Sequence, residues 1–166
     1  MRIINFFTPI FFLLLFFSGL FAQNKYPIIL VHGFMGWGRE EMGSYRYWGG
    51  KYDIEQILKD EGFEVYTASV GPVSSNWDRA IELFYQIKGG QVDYGKIHSE
   101  KYGLIQKPEG KKYKGLYPSW NQDNPIHLIG HSMGGQTIRM LDYLLRTSIA
   151  DSSQKIEKNE LITTFC

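Results

Sequence analysis

The fold of this chain is decided by residues 126–136, IHLIGHSMGGQ. The stretch contains a short apolar run, a turn with one serine between two glycines, and the start of a segment with helical spacing. A serine presented at the end of a buried strand needs a sharp turn with a strained backbone. Glycines two residues before and two residues after it, Gly130 and Gly134, avoid collisions within such a turn. We therefore predict a strand, a nucleophile elbow at Ser132 and a helix.

The flanks of the elbow support this interpretation. Pro125 precedes the strand, which is built from β-branched residues and leucine. One alternative is an ordinary strand-to-helix turn with a surface serine, and another is a glycine-rich phosphate loop. A phosphate loop requires a lysine after the glycines, where Gln136 stands here. The segment behind the turn has apolar residues at helical spacing: Ile138, Leu141, Leu144 and Leu145.

The start of the chain is typical of an export signal. One arginine precedes an apolar run over residues 6–22, and the polar Gln23 follows. The apolar core is short for a membrane span of about 20 residues, which argues against the alternative of a retained anchor helix. We therefore predict a signal peptide over residues 1–22, a secreted protein, and no stable membrane span after cleavage.

The remaining residues, 23–166, are enough for one domain with a core. The formal net charge is +1, so nothing in the composition favours a nucleic-acid partner. The single cysteine, Cys166, excludes an internal disulfide. Residues 160–166 have the pattern of the start of a buried strand. Since a domain rarely stops inside a strand, we interpret the chain as part of a longer protein.

Strands and helices alternate along the chain, which predicts an α/β fold with a parallel sheet, right-handed crossovers and helices on both faces. Residues 89–124 lack a clear period, and we expect an insertion with few apolar anchors. The first predicted helix has Ile54, Ile57 and Leu58 on one face. The predicted strands cover residues 26–31, 63–70, 126–130 and 160–166, and the predicted helices cover residues 53–61, 78–88 and the segment from the elbow to about 146.

An acyl-transfer site also needs an oxyanion hole. In an α/β-hydrolase one donor is the N–H that follows the serine, here that of Met133, and the other comes from a loop after an earlier strand. Residues 32–34, His-Gly-Phe, stand at that place and offer the N–H of Phe34. On its own this loop is equally a plain strand-ending turn. Together with the elbow, it favours a hydrolase.

Longer strings resemble the secreted bacterial lipases of the staphylococcal and thermoalkalophilic bacillus type, within the α/β-hydrolase superfamily. They are ILVHGFMGWGREEM at 29–42, YWGG at 47–50, VGPVSSNWDRA at 70–80 and GGQVDYG at 89–95. The resemblance implies an α/β-hydrolase fold, here truncated after the strand that follows the nucleophile helix.

The resemblance also implies a function. It indicates a triacylglycerol lipase and carboxylic ester hydrolase that acts through an acyl-enzyme on Ser132, with Phe34 and Met133 as oxyanion donors. Its substrate would be a lipid or ester at an oil–water interface, and its chemistry requires no cofactor. The family's catalytic acid, histidine, lid and calcium site lie beyond Cys166, so we expect this chain alone to be inactive. The alternative is a non-catalytic relative that binds lipid or a protein partner.

A structural zinc is a further implication of the resemblance. The family holds it with two aspartates and two histidines, and Asp78 and His98 fall on two of those positions. The third position is occupied by Leu104, and the fourth lies beyond the chain. Because a structural zinc nearly always has four protein ligands, we expect any zinc to be bound loosely. The alternatives are a helix N-cap for Asp78 and a solvated loop residue for His98. The other histidines are interpreted as structural: His32, His127 and His131.

Overall fold

The computed structural model describes residues 25–147 and 162–165, the last four as a strand only. The predicted signal peptide and Cys166 lie outside the described residues. In chain order the elements are β1 (Ile28–Val31), α1 (Ile54–Asp60), β2 (Val65–Ala68), α2 (Asn76–Lys88), β3 (Gly90–Gln91), α3 (Lys96–Tyr102), β4 (Lys112–Tyr113), β5 (Ile126–Gly130), α4 (Met133–Thr147) and β6 (Ile162–Phe165).

A parallel sheet of four strands, in the order β2-β1-β5-β6, forms the centre of the molecule. Strand β1 is interior to it, since Ile28 is in register with Val65 on one side and with His127 on the other. The predicted parallel sheet with helical connections is therefore confirmed. The consecutive residues Ile29, Leu30 and Val31 are all buried, as expected for a strand covered on both faces.

Helices α2 and α4 pack against each other and share one apolar core with the sheet. The helical spacing predicted behind the elbow is confirmed, because all four of its apolar residues are buried. Helix α2 begins two residues earlier than predicted, with Ser75 as its N-cap. The core residues of the two helices are Ala80, Ile81, Leu83, Ile87, Ile138, Leu141, Leu144 and Leu145.

Helix α1 does not bury the isoleucines of its apolar face. Ile54 and Ile57 are exposed, whereas Glu55 is buried. Its carboxylate accepts from Lys59 at 2.6 Å and lies 3.5 Å from Arg39, so ion pairs compensate its burial. The apolar spacing of this short helix therefore does not identify its buried side.

The insertion over residues 89–124 is also better anchored than expected. It contains the antiparallel pair β3–β4 and helix α3. Val92, Tyr94 and Trp120 are buried within the main core, so the expectation of few apolar anchors was wrong. These residues are too far apart and too irregularly spaced to form a period, which is the signal that identifies helices and strands.

Polar contacts hold the insertion to α2 as well. The buried carboxylate of Glu82 accepts from Tyr94 Oη at 2.6 Å and from Lys111 Nζ at 2.5 Å. Burial lowers the pKa of Lys111, but the hydrogen bonds and charge interactions with Glu82 and Tyr94 together outweigh it, and the pKa is raised overall. Among the described residues, no helix has the length and apolar character needed to cross a bilayer.

Candidate active site

Ser132 occupies the turn between β5 and α4 and is exposed. Its φ is +55°, in the left-handed region that costs a residue with a Cβ about 1–2 kcal/mol. Such strain is retained only where surrounding structure enforces it, and it is concentrated at functional sites. The backbone therefore has the conformation that a nucleophile elbow requires.

The glycines around Ser132 are required by contact distances. A Cβ on Gly130 would lie 2.5 Å from the carbonyl carbon of Gly134, on the other side of the turn. A Cβ on Gly134 would overlap the carbonyl oxygen of Val31. The turn and the approach of α4 to β1 therefore leave no room for a side chain at either position.

The loop after β1 runs directly against this elbow. A Cβ on Gly33 would lie 2.9 Å from Ser132 Cβ and 2.9 Å from the carbonyl oxygen of His131. Among the described residues, the N–H groups of Phe34 and Met133 donate to no backbone or side-chain acceptor. For Met133 this follows from its place at the first position of α4, where helical N–H groups have no intrahelical partner. Both donors are therefore available to a ligand.

His32 braces that loop, as predicted. Its ring is fully buried; Nε2 accepts from the N–H of Val70 at 3.2 Å, which leaves Nδ1 to donate to the carbonyl of Gly33 at 2.9 Å. Burial, reinforced by the charge of Arg79, lowers the pKa of the imidazole and keeps it neutral. The peptide group held by Nδ1 is the one that carries the N–H of Phe34.

Comparison with known proteins identifies the family of this chain. Residues 24–160 match the family model described as "Lipase-like, C-terminal domain". The chain belongs to this lipase family. That result confirms the family predicted from the sequence.

Relatives of this lipase-family chain include staphylococcal enzymes of greater length. It is 51% identical to Lipase 2 of Staphylococcus aureus (strain MRSA252) over 126 residues, covering 74% of this chain and 18% of that protein. It is 53% identical to the lipase of Staphylococcus epidermidis over 127 residues, covering 75% and 18%. The chain thus spans less than a fifth of the length of these curated relatives.

Solved structures of bacterial proteins are similar in fold. EstA from Clostridium botulinum superimposes with a TM-score of 0.74 at 51% identity, covering 83% of this chain and 32% of that one. Staphylococcus hyicus lipase superimposes with a TM-score of 0.73 at 43% identity, covering 86% and 37%.

Arg79 is a site residue of this lipase-family chain that sequence reasoning missed. Its fully buried side chain donates to the carbonyl of His32 at 2.5 Å and to that of Gly71 at 2.7 Å. A third bond goes to Thr137 Oγ1 at 2.8 Å, and that hydroxyl donates to the carbonyl of Met133. Burial lowers the pKa of the guanidinium, which nevertheless stays charged because arginine titrates far above neutrality.

A signal for this role was present in the sequence. Arg79, Glu82 and Gln86 recur at helical spacing within an otherwise apolar helix, and all three are buried. Glu82 accepts from the N–H of Gly71, and Gln86 accepts from the N–H of Ser69. This polar stripe of α2 therefore holds the loops that follow β1 and β2.

Tyr47 is the second residue that sequence reasoning missed. Its hydroxyl accepts from the N–H of Gly33 at 2.9 Å and lies 2.6 Å from Nδ1 of His131. His131 is thus engaged by Tyr47 rather than by its neighbour Ser132.

His127 is half-buried and packs beside Tyr26, with ring centroids 5.7 Å apart.

Asp78 and His98 are brought together, with 2.8 Å between Oδ1 and Nε2. The N-cap alternative for Asp78 was wrong, because Ser75 caps α2 and accepts from the N–H of Asp78. His98 lies on α3 and stacks on Trp77 with a centroid distance of 5.0 Å, so it is not a solvated loop residue.

These two residues do not complete a zinc site. Leu104 has no lone pair to offer, and the described part of the chain contains no cluster of three or more metal-binding side chains. A structural zinc needs four such ligands, so the residues described here do not fit the family's metal.

Proposed function

We propose that this chain supplies the nucleophile and the oxyanion hole of a secreted serine lipase with the α/β-hydrolase fold. The observation that carries the proposal is the left-handed backbone of Ser132 at an exposed turn, against which the loop that carries Phe34 is packed. A protein that only binds lipid has no need of a strained serine.

The chemistry follows from the proposed roles. Ser132 Oγ attacks the ester carbonyl while a base removes its proton, and the carbonyl becomes an oxyanion held by the N–H groups of Phe34 and Met133. The intermediate then expels the alcohol, which takes the proton from the base, and an acyl-enzyme remains. Water attacks this ester in the same way and releases the fatty acid. The resemblance places the base and its acid partner beyond Cys166.

The surface around the serine supports an apolar substrate. Phe34, Met35 and Val73 are exposed, and the N–H of Met35 donates to the carbonyl of Pro72 at 2.9 Å, which joins the two loops that carry them. Exposed apolar side chains grouped beside a nucleophile favour a lipid ester over a polar one. Secretion rests on the apolar run at residues 6–22.

The proposal is tested on the full-length protein. A fluorophosphonate probe should label Ser132, as identified by peptide mass spectrometry, and Ser132→Ala should lower ester hydrolysis by up to about a millionfold. Ser119→Ala, at an exposed loop serine, is the matched control and should keep full activity. Labelling and activity that survive Ser132→Ala would show a different nucleophile. Absence of both in the wild type would favour a non-catalytic relative.

A further inference from the structure

We propose that Tyr47 is a positioning residue, whose hydroxyl locks the proposed oxyanion loop, residues 32–34, to the nucleophile elbow. The inference rests on the proposed function and adds a residue to its machinery. Tyr47 lies outside both segments, further along the connection from β1 to α1 that begins with residues 32–34. Its hydroxyl is the point at which the two segments are joined.

Two hydrogen bonds of this hydroxyl connect the loop to the elbow. The N–H of Gly33 donates to Oη at 2.9 Å, and Oη lies 2.6 Å from Nδ1 of His131. A hydroxyl has one proton to donate and two lone pairs. If it accepts from Gly33 and donates to Nδ1, both bonds are satisfied with a neutral imidazole. The oxyanion loop is thereby connected to the residue that immediately precedes Ser132.

This connection matters because the oxyanion loop and the elbow are in close contact. The position of a Cβ on Gly33 is 2.9 Å from three groups at once: Ser132 Cβ, the carbonyl of His131 and Tyr47 Oη. The next residue, Phe34, carries the proposed oxyanion donor. A misplacement of about 1 Å in such a donor can lower the rate by up to roughly a hundredfold. A hydroxyl bound both to the N–H of Gly33 and to the ring of His131 limits the movement of this loop relative to Ser132.

Tyr47 also has a packing role, which must be separated from the role of its hydroxyl. Its ring contacts four neighbouring rings at centroid distances of 5.3 to 5.7 Å: His32, Trp37, Trp48 and His131. The substitution Tyr47→Phe removes the oxygen and leaves the ring, so it isolates the hydrogen bonds. It leaves the half-buried N–H of Gly33 without its acceptor.

The experiment measures hydrolysis of a soluble p-nitrophenyl butyrate by the full-length protein. We expect Tyr47→Phe to lower kcat roughly 10- to 100-fold and to change KM by less than about twofold, because substrate is still bound but the oxyanion donors are displaced. The matched control is Tyr52→Phe, at a tyrosine that is 75% exposed, and it should be indistinguishable from wild type.

A double-mutant cycle tests the connection to the elbow. If the hydroxyl acts through His131, the losses from Tyr47→Phe and His131→Ala will be less than additive. Additive losses, a wild-type kcat for Tyr47→Phe, or a loss confined to KM would each overturn the proposal.

The variant Ser132→Ala is measured in the same assay. If it abolishes activity while Tyr47→Phe is fully active, only the role of Tyr47 fails; if Ser132→Ala is active, the proposed function fails and this role falls with it.

Discussion

The guanidinium of Arg79 donates to the main-chain carbonyl of His32, so a buried charge on α2 holds the end of strand β1 at the point where the oxyanion loop begins. No acidic side chain of the described residues forms an ion pair with it. Its hydrogen-bond partners are two carbonyls and a hydroxyl, contributed by three separate segments. A charge buried in this way is costly, and its hydrogen bonds must compensate for the lost hydration.

Replacing Arg79 by methionine should destabilise the protein by about 2–4 kcal/mol, because the carbonyls of His32 and Gly71 lose their donors inside the fold. Ester hydrolysis should fall as well, since the oxyanion loop loses its anchor. Urea unfolding of the full-length protein measures the first effect. The control is Arg139→Met at an exposed position of α4, which should lie within about 0.5 kcal/mol of wild type. Equal effects at the two positions would contradict the role of Arg79.

Two adjacent glycines of the elbow should respond differently to the addition of one methyl group. Gly134→Ala should destabilise the protein by roughly 1–3 kcal/mol and lower activity, because its Cβ would overlap the carbonyl oxygen of Val31. The neighbouring Gly135→Ala has the nearest atom at 3.9 Å and should be neutral or stabilising by up to about 1 kcal/mol. Thermal unfolding of both variants measures this difference in stability. A tolerated Gly134→Ala would mean that α4 can move away from β1.

Acidification should destabilise the protein through His32. The pKa of this imidazole is lowered from 6.5 by burial, so the folded state resists a proton that the unfolded state accepts. The stability due to neutral His32 is complete above the unfolded pKa and is lost as the pH falls through the folded pKa. We expect the free energy of unfolding to decrease as the pH falls below 6.5, and His32→Asn to make that decrease smaller. An unchanged slope in the variant would assign the acid sensitivity to other groups.

Zinc should be held weakly if it is bound at all, because the described residues offer only Asp78 and His98. After dialysis of the full-length protein against a chelator, we expect less than one zinc per chain. Leu104→His, which restores the family's third ligand, should increase retention. Ile105→His places an imidazole at the exposed neighbouring position and should not. A wild-type protein that retains one zinc until it unfolds would show that another residue completes the site.

The elements that position Ser132 could be predicted because their patterns are local. A continuous apolar run identifies a buried parallel strand, and the apolar residues of α2 and α4 repeat with the period of a helix. The strain at the elbow follows from the spacing of its glycines. The roles of Phe34 and Met133 stay predictions, as does that of Ser132.

What could not be predicted depends on contacts between distant segments. Tyr47 and His131 are 84 residues apart in the chain, and no periodicity relates them. The buried face of α1 does not follow from its apolar spacing, because the pairing of Glu55 with Arg39 is a tertiary contact. The insertion is held by Val92, Tyr94 and Trp120, whose burial depends on how the loop folds back over α2.

The interior position of β1 sets the order in which the site can assemble. Ile28 finds its neighbour His127 about a hundred residues later in the chain, and closing so long a loop is slow. One edge of β1 therefore remains unpaired and apolar until nearly all of the described chain has been synthesised. During that interval the exposed edge of β1 can pair with a strand of another chain. Ser132 and the loop that carries Phe34 meet only when β5 docks beside β1, so the candidate site is among the last parts of the fold to form.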